Sequence, residues 1–191
     1  RLTQSAVHLR SSHPRDLAAL RSEATPLEPK AAFGPTITSQ ANGDTRARVM
    51  ASMREGFRLF KLGELHAARW QFIQAWQLVK HPAVAASLAD TELKLGLYSD
   101  AARHLTFALS ETSPTGEQAE EYNYLRERLD ECLKHVVRLK VLVDRPGATV
   151  CVNGSYVGIS PLPAELFVAP GEILVGVRLA GMGGARLLRA R

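Results

Sequence analysis

Three basic residues, Arg54, Arg58 and Lys61, are spaced so that a helix would carry them on one face. Positions i, i+4 and i+7 are neighbours along the surface of a helix. A row of three cations attracts carboxylates, so the chemistry it suggests is capture of an acidic peptide or helix from a partner protein. The alternative is that these side chains face water and have no partner.

A second basic set, Lys140, Arg145 and Arg178, falls in a segment with strand patterns. These residues suggest binding of an anionic or carbohydrate polymer. The formal net charge is +5, and its excess lies toward the two ends of the chain. Aromatic residues do not cluster with the basic ones, as they would in a protein that stacks bases, so we expect no nucleic-acid partner.

No constellation of residues in the sequence supports catalysis. Gly-x-Ser-x-Gly, His-Glu-x-x-His and a phosphate-binding glycine loop are all absent. We therefore predict that the chain is not an enzyme, with no catalytic residues and no cofactor. Three histidines occur singly and are expected to be solvated or to cap helices: His66, His81 and His104.

The two cysteines, Cys132 and Cys151, lie in a helical and a strand pattern, and whether they pair stays open. Cys132 and His135 have the i, i+3 spacing of half a metal site. No second pair completes four ligands, so we expect no metal and two mostly buried cysteines.

The composition is that of a globular protein, with 46% hydrophobic and 23% charged residues among 191. No apolar run reaches the roughly 18 residues that a transmembrane helix needs, so we expect no transmembrane segment. No signal-peptide core precedes Thr25, and the first residue is Arg1. We expect that a targeting segment has been removed or that the chain is part of a longer protein.

Helical periodicity begins near residue 45 and defines a predicted helical domain over 46–137. Within it, four small or apolar positions recur after 33 residues, a separation that we call the repeat offset. The pairs are Gly63 and Gly96, Ala68 and Ala101, Phe72 and Leu105, and Ala75 and Ala108. This pattern resembles the tetratricopeptide repeat, a helix-turn-helix unit whose stacked copies form a groove. A further helix, predicted over 116–137, would cap the stack because two such repeats alone are marginal.

The periodicity changes to two near Arg138, which predicts a β domain over 138–181. Asn153-Gly154 is the dipeptide best suited to a two-residue hairpin turn. Together with Pro146-Gly147, Ser160-Pro161 and Pro170-Gly171, it makes the segment similar to a PEGA domain. The first turn lacks the glutamate of the family name, and the sequence departs from the family after Gly181.

The remaining ends are predicted to be unstructured. Residues 1–45 contain several prolines and few apolar residues, which is typical of a disordered leader, and residues 182–191 are expected to form a disordered tail.

The sequence therefore predicts an α+β protein in which helical hairpin repeats precede a small antiparallel, sandwich-like β module. The two resemblances imply a non-enzymatic scaffold or adaptor of the bacterial cell envelope or periplasm. Its partner would be a protein held in the helical groove by Arg54, Arg58 and Lys61. The alternative is a module that binds an envelope glycan or another anionic polymer through the β domain.

Overall fold

A computed structural model describes residues 7–10, 43–162, 165–179 and 186–190, with side chains described for 43–162 and 165–179. The chain divides into two compact units, a helical unit described over 43–134 and a β unit that begins at His135 and includes the N-terminal strand. The prediction of an α+β layout with the helices first is confirmed.

Within residues 43–134 the helical unit has five α-helices: α1 (Gly43–Lys61), α2 (Leu65–Leu78), α3 (Pro82–Lys94), α4 (Tyr98–Glu111) and α5 (Ala119–Leu133), with a short 3₁₀ turn at Gly116–Gln118. Successive helices pack against one another, and α5 packs mainly on α4. None of the helices in the described ranges is long and apolar enough to cross a lipid bilayer.

Two helical hairpins, α1–α2 and α3–α4, recur at the repeat offset that the sequence predicted. Helices α2 and α4 have the same length, and both their first and their last residues are separated by that offset. Gly63 and Gly96 both have positive φ, near 78° and 72°, which glycine adopts without strain. In each turn the glycine N–H and the next N–H return to carbonyls of the preceding helix, the arrangement of a Schellman cap.

The two helices of the first hairpin pack closely at a glycine. A Cβ at Gly56 of α1 would lie 2.6 Å from the ring of Phe72 in α2, so only glycine admits that ring. Phe57 stands edge-on to Phe72, with ring centroids 5.2 Å apart. In the second hairpin the equivalent positions are Ala89 and Leu105. Alanine is larger than the glycine it replaces and leucine is smaller than the phenylalanine it replaces, so the two changes compensate each other.

Helix α3 is the centre of the unit. Every residue from Ala83 to Ala89 is buried, including four alanines, and small residues on all sides let neighbouring helices approach closely. His81 caps its N-terminus by accepting a hydrogen bond at Nδ1 from the N–H of Ala83, at 3.2 Å. The expectation of a capping histidine is confirmed at this position.

The β unit is built from two antiparallel sheets. Their strands are β1 (Val7–Arg10), β2 (Val137–Val141), β3 (Ala148–Val152), β4 (Ser155–Ile159), β5 (Leu166–Val168), β6 (Ile173–Leu179) and β7 (Arg186–Ala190). One sheet has the order β1-β2-β5 and the other β4-β3-β6-β7. Alternate residues of β2, β3 and β6 form one buried core between the sheets: Leu139, Val141, Val150, Val152, Ile173 and Val175.

The turn residues of the β unit have structural partners. Asn153 and Gly154 both have positive φ, as the predicted hairpin turn requires. The Asn153 side chain also accepts a hydrogen bond from the N–H of Leu174, at 2.8 Å. Ser160, only 3% exposed, accepts from the N–H of Ala148 and donates to the carbonyl of Arg145. These motif residues therefore fix the β unit's own turns.

Two segments differ from the sequence-based expectation of disordered ends. Val7–Arg10, within the predicted leader 1–45, pairs with β2, and Arg186–Ala190, within the predicted tail 182–191, pairs with β6. Each segment is ordered by hydrogen bonds to a strand that lies far away in the sequence, and local composition does not reveal that pairing. Residues 43–45 belong to α1, and the predicted disorder of residues 1–6, 11–42, 182–185 and 191 lies outside the described residues. The two units divide at Lys134, near the predicted boundary at 137.

We predict that Gly56→Ala destabilises the protein by about 1–3 kcal/mol, although alanine ordinarily favours a helix over glycine by up to about 1 kcal/mol. The added methyl group meets the Phe72 ring. Adding Phe72→Leu, which gives the first hairpin the residue pair of the second, should restore much of that loss. Urea unfolding of the two single variants and the double variant measures the coupling; additive effects would contradict the contact.

Candidate binding site

The basic row on α1, defined as Arg54, Arg58 and Lys61, is exposed along one face of the helix, while Phe57 and Phe60 are buried beneath it. The structure therefore brings these three residues together. Arg58 donates two hydrogen bonds to the carboxylate of Glu55, at 2.9 and 2.7 Å. That contact lowers the pKa of Glu55 and raises the pKa of Arg58, so Arg58 already has an internal partner.

The basic row does not continue along the second hairpin. At the repeat offset, Ser87 and Thr91 replace Arg54 and Arg58, and both are buried. Lys61 is replaced by Lys94, whose ammonium group lies 5.3 Å from the centre of the Phe60 ring. The cationic surface thus consists of the α1 row with Lys94 beside its C-terminal end.

The second predicted set does not form one surface. Lys140 is exposed between the buried residues Leu139 and Val141, so it lies on the outer face of the three-stranded sheet. Arg178 is exposed on β6, whose neighbouring Val177 packs on the core, and it lies on the outer face of the four-stranded sheet. Arg145 is exposed in the β2–β3 turn. The sandwich core separates Lys140 from Arg178.

A group of charged residues, which we call the charged layer, lies between the two hairpins, with Glu92 and His104 buried at its inner end: Arg69, Glu92, Asp100, Arg103 and His104. Glu92 is fully buried, and its Oε1 accepts hydrogen bonds from Nε and Nη2 of Arg69, at 3.0 and 2.9 Å. The other oxygen lies 2.7 Å from Nδ1 of His104. Since a carboxylate only accepts, Nδ1 carries the proton. One carboxylate therefore ties α3 to both α2 and α4.

The charged layer extends from the core to the surface. Arg69 also donates to Asp100, at 3.0 Å, and Asp100 accepts from the exposed Arg103, at 2.8 Å. Each buried side-chain nitrogen and oxygen within the described residues has a hydrogen-bond partner. A satisfied network of this kind fixes the relative positions of helices.

Sequence reasoning missed the charged layer. His104 was expected to be solvated or capping, but it is buried at 6% exposure and contacts Glu92 and the ring of Trp76. Its partner lies on another helix, so no local pattern identifies it. The sequence nevertheless contained a signal. When the two hairpins are aligned at the repeat offset, Glu92 is equivalent to Leu59, which is buried. A charged residue therefore stands at a position that is apolar in the other hairpin.

A second polar contact holds α5 on α3. Tyr124 donates its hydroxyl to Asp90, with oxygen distances of 2.9 and 2.8 Å, and the guanidinium of Arg128 lies 5.2 Å from the centre of the Tyr124 ring. Burial raises the pKa of Asp90 to about 6, against smaller opposing effects of Tyr124, Arg128 and Lys94. Burial likewise raises the pKa of Tyr124.

Both cysteines are free thiols in the structure. Cys132 is fully buried in α5, and burial raises the pKa of its thiol to about 12, so it is an unreactive core residue. Over the described part of the chain, no group of three or more histidine, cysteine or acidic side chains is placed to hold a metal ion.

Comparison with known proteins gives no relative: no family model, no curated protein and no solved structure matches this chain.

We predict that Glu92→Ala lowers the free energy of unfolding by about 2–4 kcal/mol, because it removes the partner of the buried His104 and one of the two carboxylates that bind Arg69, and leaves a cavity in the core. The matched control is Glu127→Ala on the exposed side of α5, which should change stability by no more than about 0.5 kcal/mol. Urea unfolding of both variants tests this, and a loss below about 1 kcal/mol for Glu92→Ala would exclude a structural role for the layer.

The raised pKa of Asp90 predicts that stability depends on pH. Its pKa rises from 3.8 to about 6 on folding, so between these values the folded protein binds more protons than the unfolded chain. The contribution of Asp90 therefore lowers stability as the pH rises through this window. Asp90→Asn keeps an acceptor for Tyr124 and removes the titration. The free energy of unfolding of this variant, measured relative to wild type, should rise by roughly 2–3 kcal/mol between pH 4 and pH 7.

Urea unfolding at half-unit pH steps measures this difference. Asp130→Asn, an exposed change on α5, is the control and should give a profile parallel to wild type. If the Asp90→Asn profile is also parallel to wild type, the assignment of a raised pKa to Asp90 is wrong.

Proposed function

We propose that this chain is a non-enzymatic protein-interaction scaffold, in which the basic row on α1 holds an acidic peptide or helix of a partner protein. The observation that carries this proposal is the exposure of Arg54, Arg58 and Lys61 on one face of a helix whose opposite face is anchored in a core. A fixed backbone presents the three cations at a constant spacing, which reduces the entropy lost on binding.

The geometry of the row defines the partner that fits it best. Seven residues of helix span about 10 Å, so the outer two cations are separated by roughly that distance along the axis. A helix with carboxylates at i, i+4 and i+7 presents complementary charges at the same spacing. Lys94, whose ammonium group lies 5.3 Å from the centre of the Phe60 ring, adds a fourth cation near the C-terminal end of the row.

Glu55 is an internal competitor for such a partner. Its carboxylate occupies the two donors of Arg58 that an acidic ligand would use. An incoming carboxylate must replace that contact, which weakens binding and favours ligands that engage several cations at once. Glu55 would thus select a multiply charged segment over single anions.

The repeated hairpins and the resemblance to tetratricopeptide repeats support the scaffold proposal, since stacked helix pairs are a recurrent peptide-binding architecture. The resemblance of the β unit to PEGA domains supports a location in the bacterial cell envelope or periplasm. In this proposal the helical unit binds the partner, and the β unit does not contact it.

The alternative function is binding of an anionic or carbohydrate envelope polymer through Lys140, Arg145 and Arg178. Because Lys140 and Arg178 lie on the outer faces of different sheets, a single extended polymer chain would contact only one of them. The geometry therefore favours the basic row, where all three cations share one face.

The two basic sets serve as matched controls for each other, because replacing either set by glutamate changes the net charge equally. A fluorescent helix-forming peptide with glutamates at i, i+4 and i+7 is the probe, and the glutamine version is its control. Reversal of Arg54, Arg58 and Lys61 should weaken binding at least about tenfold, equivalent to about 1.4 kcal/mol. Reversal of Lys140, Arg145 and Arg178 should change the affinity for the peptide by no more than about twofold, because these residues would act on it only through long-range electrostatics.

Glu55→Gln should tighten binding about two- to threefold by releasing Arg58, an effect that salt should screen. Affinity capture from bacterial envelope extract with the same variants extends the test to natural partners. Equal peptide binding by both charge-reversed variants would refute the proposal. Retention of glycan by wild type and its loss only with the second set would establish the alternative.

A further inference from the structure

Helix α5 has an acidic face, defined as Glu120, Asn123, Glu127 and Asp130. All four residues are exposed, and their steps of three, four and three residues place them on one side of the helix. Within the described part of the chain, none of the three carboxylates forms an ion pair. Their charges are therefore available to a cation of another molecule.

The helical unit has opposite charges on its first and last described helices. Helix α1 contains five basic and two acidic residues, whereas residues 116–133 contain six acidic and two basic residues. Over residues 43–134 the two kinds nearly balance, at 12 basic and 13 acidic, so the chain's net charge of +5 arises outside the helical unit. Helix α1 of one molecule and α5 of another therefore attract each other.

The spacing of the acidic face matches that of the basic row when the two helices run antiparallel. Along the chain the basic row advances by four and then three residues, and the acidic face by three and then four. Lys61 then faces Glu120. At the other end Arg54 faces Glu127. Each outer pair on one helix spans seven residues, or about 10 Å, so both contacts form at once.

The middle position of this alignment is also complementary. Arg58 already donates to the carboxylate of Glu55 through Nε and Nη2, so it needs no second carboxylate. The residue that faces it on α5 is the neutral Asn123, whose side-chain oxygen accepts from the remaining guanidinium nitrogen. The pairing therefore leaves the contact between Arg58 and Glu55 intact, whereas a carboxylate at this position would compete with Glu55.

The N-terminal part of α1 leaves room for a second helix. Ala47 and Ala51 are exposed and continue the face of the basic row at the same helical spacing. In the antiparallel alignment they lie opposite Lys134 and Asp130. Small residues on one helix allow the long side chains of the other to fit between the two axes.

We propose that the acidic helix bound by the basic row is α5 of a second copy of this chain. This inference rests on the proposed function, because it uses the same row and names its partner. The contact joins two different faces, so a pair of copies retains one unused face of each kind. Association therefore continues beyond the dimer.

The contact is weak and depends on salt, because exposed ion pairs contribute little each and are screened by ions. We expect a dissociation constant of about 0.1–1 mM at low ionic strength. Sedimentation velocity of the full chain over about 10 µM to 1 mM covers this range. The mean mass should rise above 20.9 kDa with concentration and fall again when salt is added.

Two charge-reversed variants test the pairing. The α1 variant carries Arg54→Glu and Lys61→Glu, and the α5 variant carries Glu120→Lys and Glu127→Lys. Each should associate at least about tenfold more weakly than wild type, equivalent to about 1.4 kcal/mol, because its two faces then carry the same charge.

An equimolar mixture of the two variants should associate again. The α1 face of the α5 variant is unchanged and meets the unchanged α5 of the α1 variant, and the two reversed faces match each other. The mixture has the mean net charge of wild type, so its recovery depends on the faces and not on the overall charge.

A matched control carries Glu111→Lys and Glu165→Lys. These two exposed carboxylates lie outside both faces and receive the same change of charge as the α5 variant. The control should associate at least threefold more strongly than the α5 variant. Circular dichroism and urea unfolding establish that all the variants are folded.

A wild-type chain that stays monomeric up to about 1 mM at low salt overturns the proposal. So does a mixture that associates no more than its two components do alone, or a control that is weakened as much as the α5 variant. The acidic-peptide assay separates this failure from that of the proposed function. If the peptide binds the basic row but the chain does not self-associate, only the second copy as partner is wrong; if neither occurs, both proposals are wrong.

Discussion

The helical unit depends on one buried carboxylate. Glu92 is fully removed from solvent, and such a charge is tolerated only when hydrogen-bond donors surround it. Those donors come from Arg69 on α2 and His104 on α4, so the three helices can adopt few arrangements that satisfy it. The first hairpin has Leu59 at the equivalent position, which shows that the repeat itself does not require a charge there. The charged layer is therefore a property of the junction between hairpins, where it specifies how one stacks on the next.

This construction determines which surfaces remain for binding. Helix α3 carries Glu92 toward α2 and α4 and Asp90 toward α5, and its residues between these neighbours are buried and mostly alanine. The second hairpin consequently contributes little of its first helix to an exposed groove. Helix α1 is different, because its outer face is charged and exposed while its inner face is held by Phe57 and Phe60. Candidate binding chemistry is thus concentrated on α1, the first of the described helices.

Much of the local structure could be predicted from the sequence. Recurrence at a constant offset predicted the two hairpins, because Gly63 and Gly96 end helices and Ala68 and Ala101 allow close packing. Asn153-Gly154 predicted its hairpin for a similar local reason. The basic row was predicted correctly as a set of residues on one face, since helical spacing alone decides that. The separation of Lys140 from Arg178 could not be predicted, because it depends on which sheet each strand joins.

The sequence by itself determined the period of the helical repeat, the positions of the turns and the change from helix to strand. These features follow from backbone preferences and side-chain spacing within a few residues. Tertiary structure alone decided that Glu92 meets Arg69 and His104, that Val7–Arg10 pairs with β2, and that Lys140 and Arg178 lie on different sheets. Each of these depends on segments far apart in the chain, whose contacts are selected by burial and hydrogen-bond satisfaction rather than by local pattern.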